Sequence, residues 1–180
     1  CLVVGIASLS FAAWLVPGLW GAPLKAISAF TPPMSTQIFS RKGSHVEAQF
    51  TDYAQALEAA RKSGKPVLVD FTGFGCVNCR KMEASVWTDP RVAQRIENDY
   101  ILVSLFVDDK TPLEHPVTIM ENGTKVKIRT VGDKWSLLQR YKFGANAQPF
   151  YVITDADGNL ENGPYSFNTS IDDFLRFLKQ

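Results

Sequence analysis

Two cysteines separated by two residues stand where an apolar stretch gives way to a helical one, and this junction constrains the fold most. Residues 66–72 read Pro-Val-Leu-Val-Asp-Phe-Thr, a short apolar run with β-branched residues that predicts a buried strand. Residues 73–75, Gly-Phe-Gly, end the run, and a helix is predicted over about residues 76–86. The spacing of Cys76 and Cys79 places both sulfurs on one helix face, close enough for a disulfide.

The place of Cys76 at the start of this helix favours a reactive thiol. The positive end of the helix macrodipole and free backbone N–H groups stabilise a thiolate there, and the thiolate is the nucleophile in disulfide exchange. Cys79, one turn further on, is expected to be more sheltered and to resolve the mixed disulfide. Other interpretations stay open: half of a zinc site, a structural disulfide, or two inert thiols. Tetrahedral zinc needs four ligands, whereas His45 and His115 lie far apart and no second cysteine pair exists.

The rest of the domain alternates helical and strand patterns. A helix is expected after Thr51 or Asp52, either of which can cap it, and another after Asp89-Pro90. The remaining predicted elements are a strand over 100–107, a helix over 135–141, a strand over 150–154 with a short strand after it, and a last helix capped by Ser170. This order predicts an α/β fold with helices on both faces of a sheet, over residues 50–180.

A polar insertion interrupts this pattern at residues 108–131. Two stretches with β-branched residues, 117–120 and 126–129, flank Asn122-Gly123, which is a strong hairpin signal. The insertion is longer than a minimal domain of this kind requires.

The first 24 residues carry no charged side chain and predict a transmembrane helix, since crossing the hydrocarbon core takes roughly 20 mostly apolar residues. Trp14 and Trp20 suit an interfacial anchor. A signal peptide and a core helix are the alternatives. Residues 25–49, rich in turn-forming residues, are expected to be a linker. Cys1 is expected to be an inert membrane-helix cysteine, and a chain that starts with Cys rather than Met is expected to be part of a longer protein.

Charge and cysteine content narrow the function classes. The formal net charge is +1, so there is no nucleic-acid footprint. Three cysteines, one of them isolated, argue against a disulfide-stapled secreted scaffold. No metal or organic cofactor is expected.

The motifs resemble those of a known family. An apolar strand with an acid, Asp70, six residues before the first cysteine of a CxxC motif resembles the thioredoxin pattern, and Pro149 resembles the family's cis-proline. Residues 76–83, Cys-Val-Asn-Cys-Arg-Lys-Met-Glu, and then 87–92, Trp-Thr-Asp-Pro-Arg-Val, resemble the C-terminal domain of DsbD-type transmembrane thiol:disulfide interchange proteins.

This resemblance implies a thioredoxin-like fold, a central mixed sheet flanked by helices, preceded by one transmembrane helix. It implies a protein-disulfide reductase module with a redox-active Cys76–Cys79 disulfide and no cofactor. Such proteins carry electrons from cytoplasmic thioredoxin across the bacterial inner membrane to oxidised periplasmic proteins. The implied partners are the chain's own or an adjacent membrane electron-transfer domain and those periplasmic proteins, with the catalytic domain in the periplasm.

Two other functions stay open at this point. One is a membrane-anchored thioredoxin-like reductase for cytochrome c maturation. The other is a non-catalytic binding module that presents Phe74, Phe150 and Tyr151 to partners.

Two carboxylates are expected to tune the thiols. An aspartate inside an apolar strand has its pKa raised by desolvation, and Glu83 is two turns beyond Cys76 on the same predicted face. Together Asp70 and Glu83 are expected to raise the pKa of Cys76 and to accept the Cys79 proton. The alternatives are a hydrogen-bonded structural acid at Asp70 and a solvated residue at Glu83. Arg80 and Lys81 could help to stabilise the thiolate, but both are expected to be solvated cations on the helix surface.

Overall fold

A mixed four-stranded sheet forms the centre of the computed structural model, which describes residues 2–17, 46–121 and 123–179. Its strands, in spatial order, are β2 (Ile101–Phe106), β1 (Val67–Thr72), β5 (Phe150–Thr154) and β6 (Leu160–Ser166). The first two strands run parallel, and β5 is antiparallel to both of its neighbours. The predicted mixed sheet is therefore confirmed.

Helices cover both faces of this sheet. On one face lie α2 (Tyr53–Ser63) and α5 (Val131–Phe143); on the other lie α3 (Val77–Met82), which continues as a π-helical turn over Glu83–Trp87, then α4 (Pro90–Asp99) and α6 (Ile171–Phe177). Strand side chains alternate between the two cores, so Val67 and Val69 pack under α2 whereas Leu68 packs under α6. Since Asp70 follows Leu68 by two residues, it faces the layer that contains α3.

Local capping chemistry sets the helix ends. The Asp52 carboxylate accepts a bond of 2.9 Å from the N–H of Ala54, and Asp89 and Ser170 cap α4 and α6 as predicted. Helix α5 begins at Val131, four residues before its predicted start, because Thr130 and Asp133 form a reciprocal capping box.

The insertion is a two-stranded hairpin, as predicted, with β3 (Pro112–Glu121) antiparallel to β4 (Thr124–Thr130). Backbone bonds close its base: the N–H of Val131 donates to Thr111 at 2.9 Å, and that of Gly132 donates to Asp109 at 3.0 Å. A Cβ at position 132 would lie 2.5 Å from a backbone oxygen of Val107, so this close approach requires glycine. The hairpin is therefore an insertion between β2 and α5.

The N-terminal helix α1 (Leu2–Leu15) has 14 residues and buries none of them. Among the described residues, no helix has the length and apolar character needed to cross a membrane. Cys1, residues 18–24 of the predicted span and residues 25–45 of the predicted linker lie outside the described residues.

Contacts with the core of the domain begin at Val46, within the segment predicted to be a linker. Val46 is buried against the core, and the N–H of Gln49 donates to the carbonyl of Leu102 at 3.1 Å. The end of the predicted linker therefore packs on the domain through the side chains of Val46 and Ala48 and through the backbone of Gln49.

The aromatic core beneath α6 gives a stability prediction. Phe174 is fully buried and packs edge-on against Tyr151 and Tyr165, with ring centroids 5.4 and 5.2 Å away. Phe174→Ala should lower the free energy of unfolding by about 3–5 kcal/mol, because it removes this contact and leaves a cavity. Urea unfolding measures the loss. Phe167→Ala is the control, since its ring is exposed, and a loss below about 1 kcal/mol at Phe174 would contradict the packing described.

Candidate active site

The two cysteines form a disulfide at the start of α3, directly after the loop of residues 73–75. Their Cα atoms are 5.3 Å apart, and the N–H of Cys79 donates to the Cys76 sulfur at 3.2 Å. Cys76 has extended backbone dihedrals and occupies the N-cap position of α3, as the sequence predicts. It is partly exposed, whereas Cys79 is only 1% exposed. An incoming thiolate can therefore reach Cys76 more readily than Cys79.

Asp70 lies in β1 and is buried on the face that carries α3. The hydroxyl of Ser104, its neighbour across the sheet, donates to one carboxylate oxygen at 2.9 Å, while the other oxygen has no hydrogen-bond partner among the described residues. Desolvation raises the pKa of Asp70 to about 7, with the Ser104 hydrogen bond and the charge of Arg80 opposing the shift. The predicted upward shift has the predicted cause, and Asp70 changes charge near neutral pH.

The expectation that Arg80 is solvated is wrong. Its side chain is 3% exposed, and its guanidinium donates to Glu83 at 2.7 Å, to the hydroxyl of Thr72 at 3.1 Å and to the carbonyl of Gly73 at 3.4 Å. These acceptors repay part of the cost of burying the charge. Lys81, the next residue, is exposed as expected.

Glu83 lies at the start of the π-helical turn and is 15% exposed, so it is not the solvated surface residue of the alternative interpretation. Its carboxylate is bound by the guanidinium of Arg80. The negative charge expected to act on Cys76 is therefore largely offset by a cation at hydrogen-bonding distance.

Tyr151 completes a buried polar cluster with Asp70, Arg80, Glu83 and Ser104. It lies opposite Asp70 in the sheet, and its pKa is raised well above the ordinary value, first by burial and then by the charges of Asp70 and Glu83. The idea that Phe150 and Tyr151 form an exposed binding surface is wrong, since both are buried in the core. Of the three aromatics proposed for that surface, only Phe74 is exposed.

Pro149 is buried, and the peptide bond between Gln148 and Pro149 is cis, as predicted. It precedes Phe150, which pairs with Phe71 in β1, so the proline lies at the end of the sheet from which the chain runs to Cys76. Buried Gln139 of α5 supports this segment: its amide donates to the carbonyl of Ala147 at 2.8 Å and accepts from Gln148 at 3.3 Å. The sequence pattern gave no sign of Gln139.

Within residues 2–17, 46–121 and 123–179, no three His, Cys, Asp or Glu side chains are grouped so that they could hold a metal ion.

Comparisons with known proteins agree with this geometry. A family model described as thioredoxin-like matches residues 48–156. The thiol:disulfide interchange protein DsbD of Ralstonia nicotianae is 30% identical over 122 residues, which are 61% of this chain and 19% of that protein. DsbD 1 of Pseudomonas aeruginosa is 37% identical over 88 residues, 47% of this chain and 15% of that protein. The chain thus matches about a fifth or less of the length of these relatives.

A solved structure shows the same fold. The oxidised C-terminal domain of DsbD from Neisseria meningitidis superposes with a TM-score of 0.52 at 22% identity, covering 74% of this chain and 98% of that domain. With the matched family model and the CxxC disulfide at the start of α3, these comparisons assign the family: the chain belongs to the thioredoxin-like family, and its matched segment is similar to part of the thiol:disulfide interchange proteins DsbD.

Proposed function

We propose that this domain relays electrons by thiol–disulfide exchange from a membrane electron-transfer domain to oxidised periplasmic proteins. The observation that carries the proposal is the asymmetry of the disulfide: Cys76 is partly exposed, whereas Cys79 is buried. One accessible and one sheltered sulfur suit a carrier that forms a transient bond with a partner and then releases it.

The proposed reaction has two displacement steps. In the reduced domain the Cys76 thiolate attacks the client disulfide, forms a mixed disulfide and displaces one client thiolate. Cys79 then attacks the Cys76 sulfur, displaces the second client thiolate and closes the Cys76–Cys79 bond. Two electrons and two protons pass to the client, and a dithiol of the membrane domain reverses the sequence to reduce the pair again.

Asp70 is the proposed acceptor of the Cys79 proton. Both groups are buried between β1 and α3, and a carboxyl with a pKa of about 7 is close to balanced between its two protonation states at neutral pH. Glu83 is proposed to act with Arg80 in positioning the helix, since the two side chains bind each other. Pro149 is proposed to keep the neighbouring backbone edge open to the client chain, as the family resemblance implies.

The uncharged N-terminal segment is proposed to anchor the domain at the inner membrane. Helix α1 exposes its apolar side chains, including Leu2, Ile6 and Leu9. Its 14 residues make up about 21 Å of helix, and the uncharged sequence continues to residue 24. The family resemblance implies a place in the inner membrane with the redox domain in the periplasm.

Cysteine variants test the order of attack. Cys79→Ser should accumulate a mixed disulfide with a protein disulfide such as insulin, because no resolving thiol remains, while Cys76→Ser should accumulate none. Non-reducing electrophoresis separates the adducts. Limiting iodoacetamide should label Cys76 first in the reduced wild-type protein, and preferential labelling of Cys79 would reverse the assignment.

The raised pKa of Asp70 predicts a pH-dependent gain in stability on its removal. Its folded pKa of about 7 exceeds the ordinary 3.8, so the domain loses stability as the pH rises through that interval. Each pKa unit is worth about 1.4 kcal/mol, so Asp70→Asn should raise the free energy of unfolding at pH 8 by about 4 kcal/mol and leave it nearly unchanged at pH 4. Urea unfolding of the oxidised protein measures both values.

The same Asp70→Asn variant should exchange disulfides more slowly, because an amide cannot accept the Cys79 proton. The ratio of wild-type to variant rate should rise through pH 7 as Asp70 ionises, toward about 100-fold.

The pKa of the Cys76 thiol in Asp70→Asn, followed by thiolate absorbance, should fall because a nearby negative charge is gone. Glu83→Gln is the matched control and should have the smaller effect on that pKa. A variant as fast as wild type at pH 8 would exclude Asp70 as the acceptor.

Membrane anchoring is tested by fractionation of cells that express residues 1–180 or 46–180. The longer chain should remain in carbonate-washed membranes and the shorter one in the soluble fraction. The double variant Ile6→Lys with Leu9→Lys should release the longer chain, because each central charge costs about 2.5–3.5 kcal/mol on insertion scales. Recovery of unaltered 1–180 in the soluble fraction would refute the anchor.

A further inference from the structure

The loop that leads into Cys76 is held from outside by a residue far away in the sequence. The carboxylate of Asp108 accepts the backbone N–H of Phe74 at 2.8 Å and that of Gly75 at 2.9 Å, one on each oxygen. Phe74 and Gly75 are the last two residues before Cys76, and Asp108 follows the end of β2 by two residues. A single side chain therefore fixes the approach of the chain to the disulfide.

The same segment also holds the ring of Phe74. Phe74 stacks on Phe106, with centroids 4.2 Å apart and planes inclined by 15°. Phe106 is the last residue of β2, so the stacking ring and the carboxylate come from one short stretch of backbone. Phe74 is nevertheless 46% exposed, which leaves much of an oriented apolar ring open to a partner beside Cys76.

The loop backbone lies directly against this carboxylate. A Cβ at Gly73 would come within 3.0 Å of Asp108 Oδ2, closer than a side chain tolerates without movement. On the inner side, the carbonyl of Gly73 accepts from Arg80 at 3.4 Å and from the N–H of Cys76 at 3.2 Å. The loop is thus bound on its inner side by a cation and on its outer side by an anion.

We propose that Asp108 is a positioning residue for exchange with protein disulfides, and that it acts by fixing Phe74 as an apolar contact for the client beside the Cys76 sulfur. A loop that is ordered beforehand saves the entropy that a mobile loop would lose each time a client binds. The lower entropy cost of binding matters for a protein client, because such a client covers the ring of Phe74. It matters little for a small disulfide, which needs to reach only the Cys76 sulfur. The inference rests on the proposed exchange with protein clients.

The test compares two disulfide substrates in the 180-residue chain. The measured quantity is the rate constant for reducing insulin divided by that for reducing oxidised glutathione. Asp108→Ala should lower this ratio about tenfold, because only the protein substrate uses the oriented ring. Partial unfolding would slow both reactions equally and leave the ratio unchanged, so a purely structural role predicts no shift.

Asp109→Ala is the matched control. Asp109 carries the same charge in the next position, but its carboxylate accepts the N–H of Thr111 at 2.8 Å within its own loop. Its ratio should stay within twofold of wild type. If Asp108→Ala folds poorly, Asp108→Asn, which keeps one of the two acceptor oxygens, should shift the ratio in the same direction by a smaller factor.

A double-mutant cycle tests the route through Phe74. Phe74→Ala should lower the ratio as Asp108→Ala does, and the double variant should be no worse than either single one, since both remove the same contact. Two outcomes would overturn the inference, provided that the wild-type protein reduces both substrates. One is that the decreases in the ratio from Asp108→Ala and Phe74→Ala add in the double variant. The other is a ratio that is unchanged in both Asp108→Ala and Asp108→Asn. A wild-type protein inert toward insulin and glutathione would instead refute the proposed function.

Discussion

The buried guanidinium of Arg80 is the interaction on which the geometry of the site depends. It joins three parts of the chain: Thr72 at the end of β1, Gly73 in the loop, and Glu83 beyond α3. A charge in this position must keep its acceptors, because an uncompensated buried charge costs several kcal/mol. The helix that carries the disulfide is therefore fixed to the sheet by electrostatics as well as by apolar packing, and its first turn stays in register with the strand beneath it.

Arg80 also changes the balance between the two carboxylates. The charge of Glu83 is balanced by the guanidinium of Arg80 in an ion pair. For Asp70, the charge of Arg80 offsets only part of the effect of desolvation on the pKa. The two acids, which look equivalent by sequence spacing, consequently differ in environment: one is part of an ion pair and the other has an oxygen without a partner. These different environments are why proton transfer is proposed for Asp70 and positioning for Glu83.

Much of the fold could be predicted from local patterns. Alternation and apolar runs gave the strands, capping residues such as Asp52 and Ser170 gave helix starts, and Asn122-Gly123 gave the hairpin. Arg80, Ser104, Gln139 and Asp108 could not be found in this way, because each acts through a partner brought close only by the fold. Asp108 lies 34 residues from Phe74, and no periodicity connects them. The burial of Arg80 was missed because a cation on a helix is ordinarily solvated.

The base of the insertion has a practical consequence. Backbone bonds at Thr111 and Asp109 close the hairpin onto the start of α5, so the chain enters and leaves it at nearly the same point. Added length beyond that point leaves the spacing between β2 and α5 unchanged, and loop-closure entropy grows only slowly with loop length. The exposed turn at Gly123 is therefore a suitable position for a peptide tag or fluorophore that reports on the protein without altering the Cys76–Cys79 disulfide.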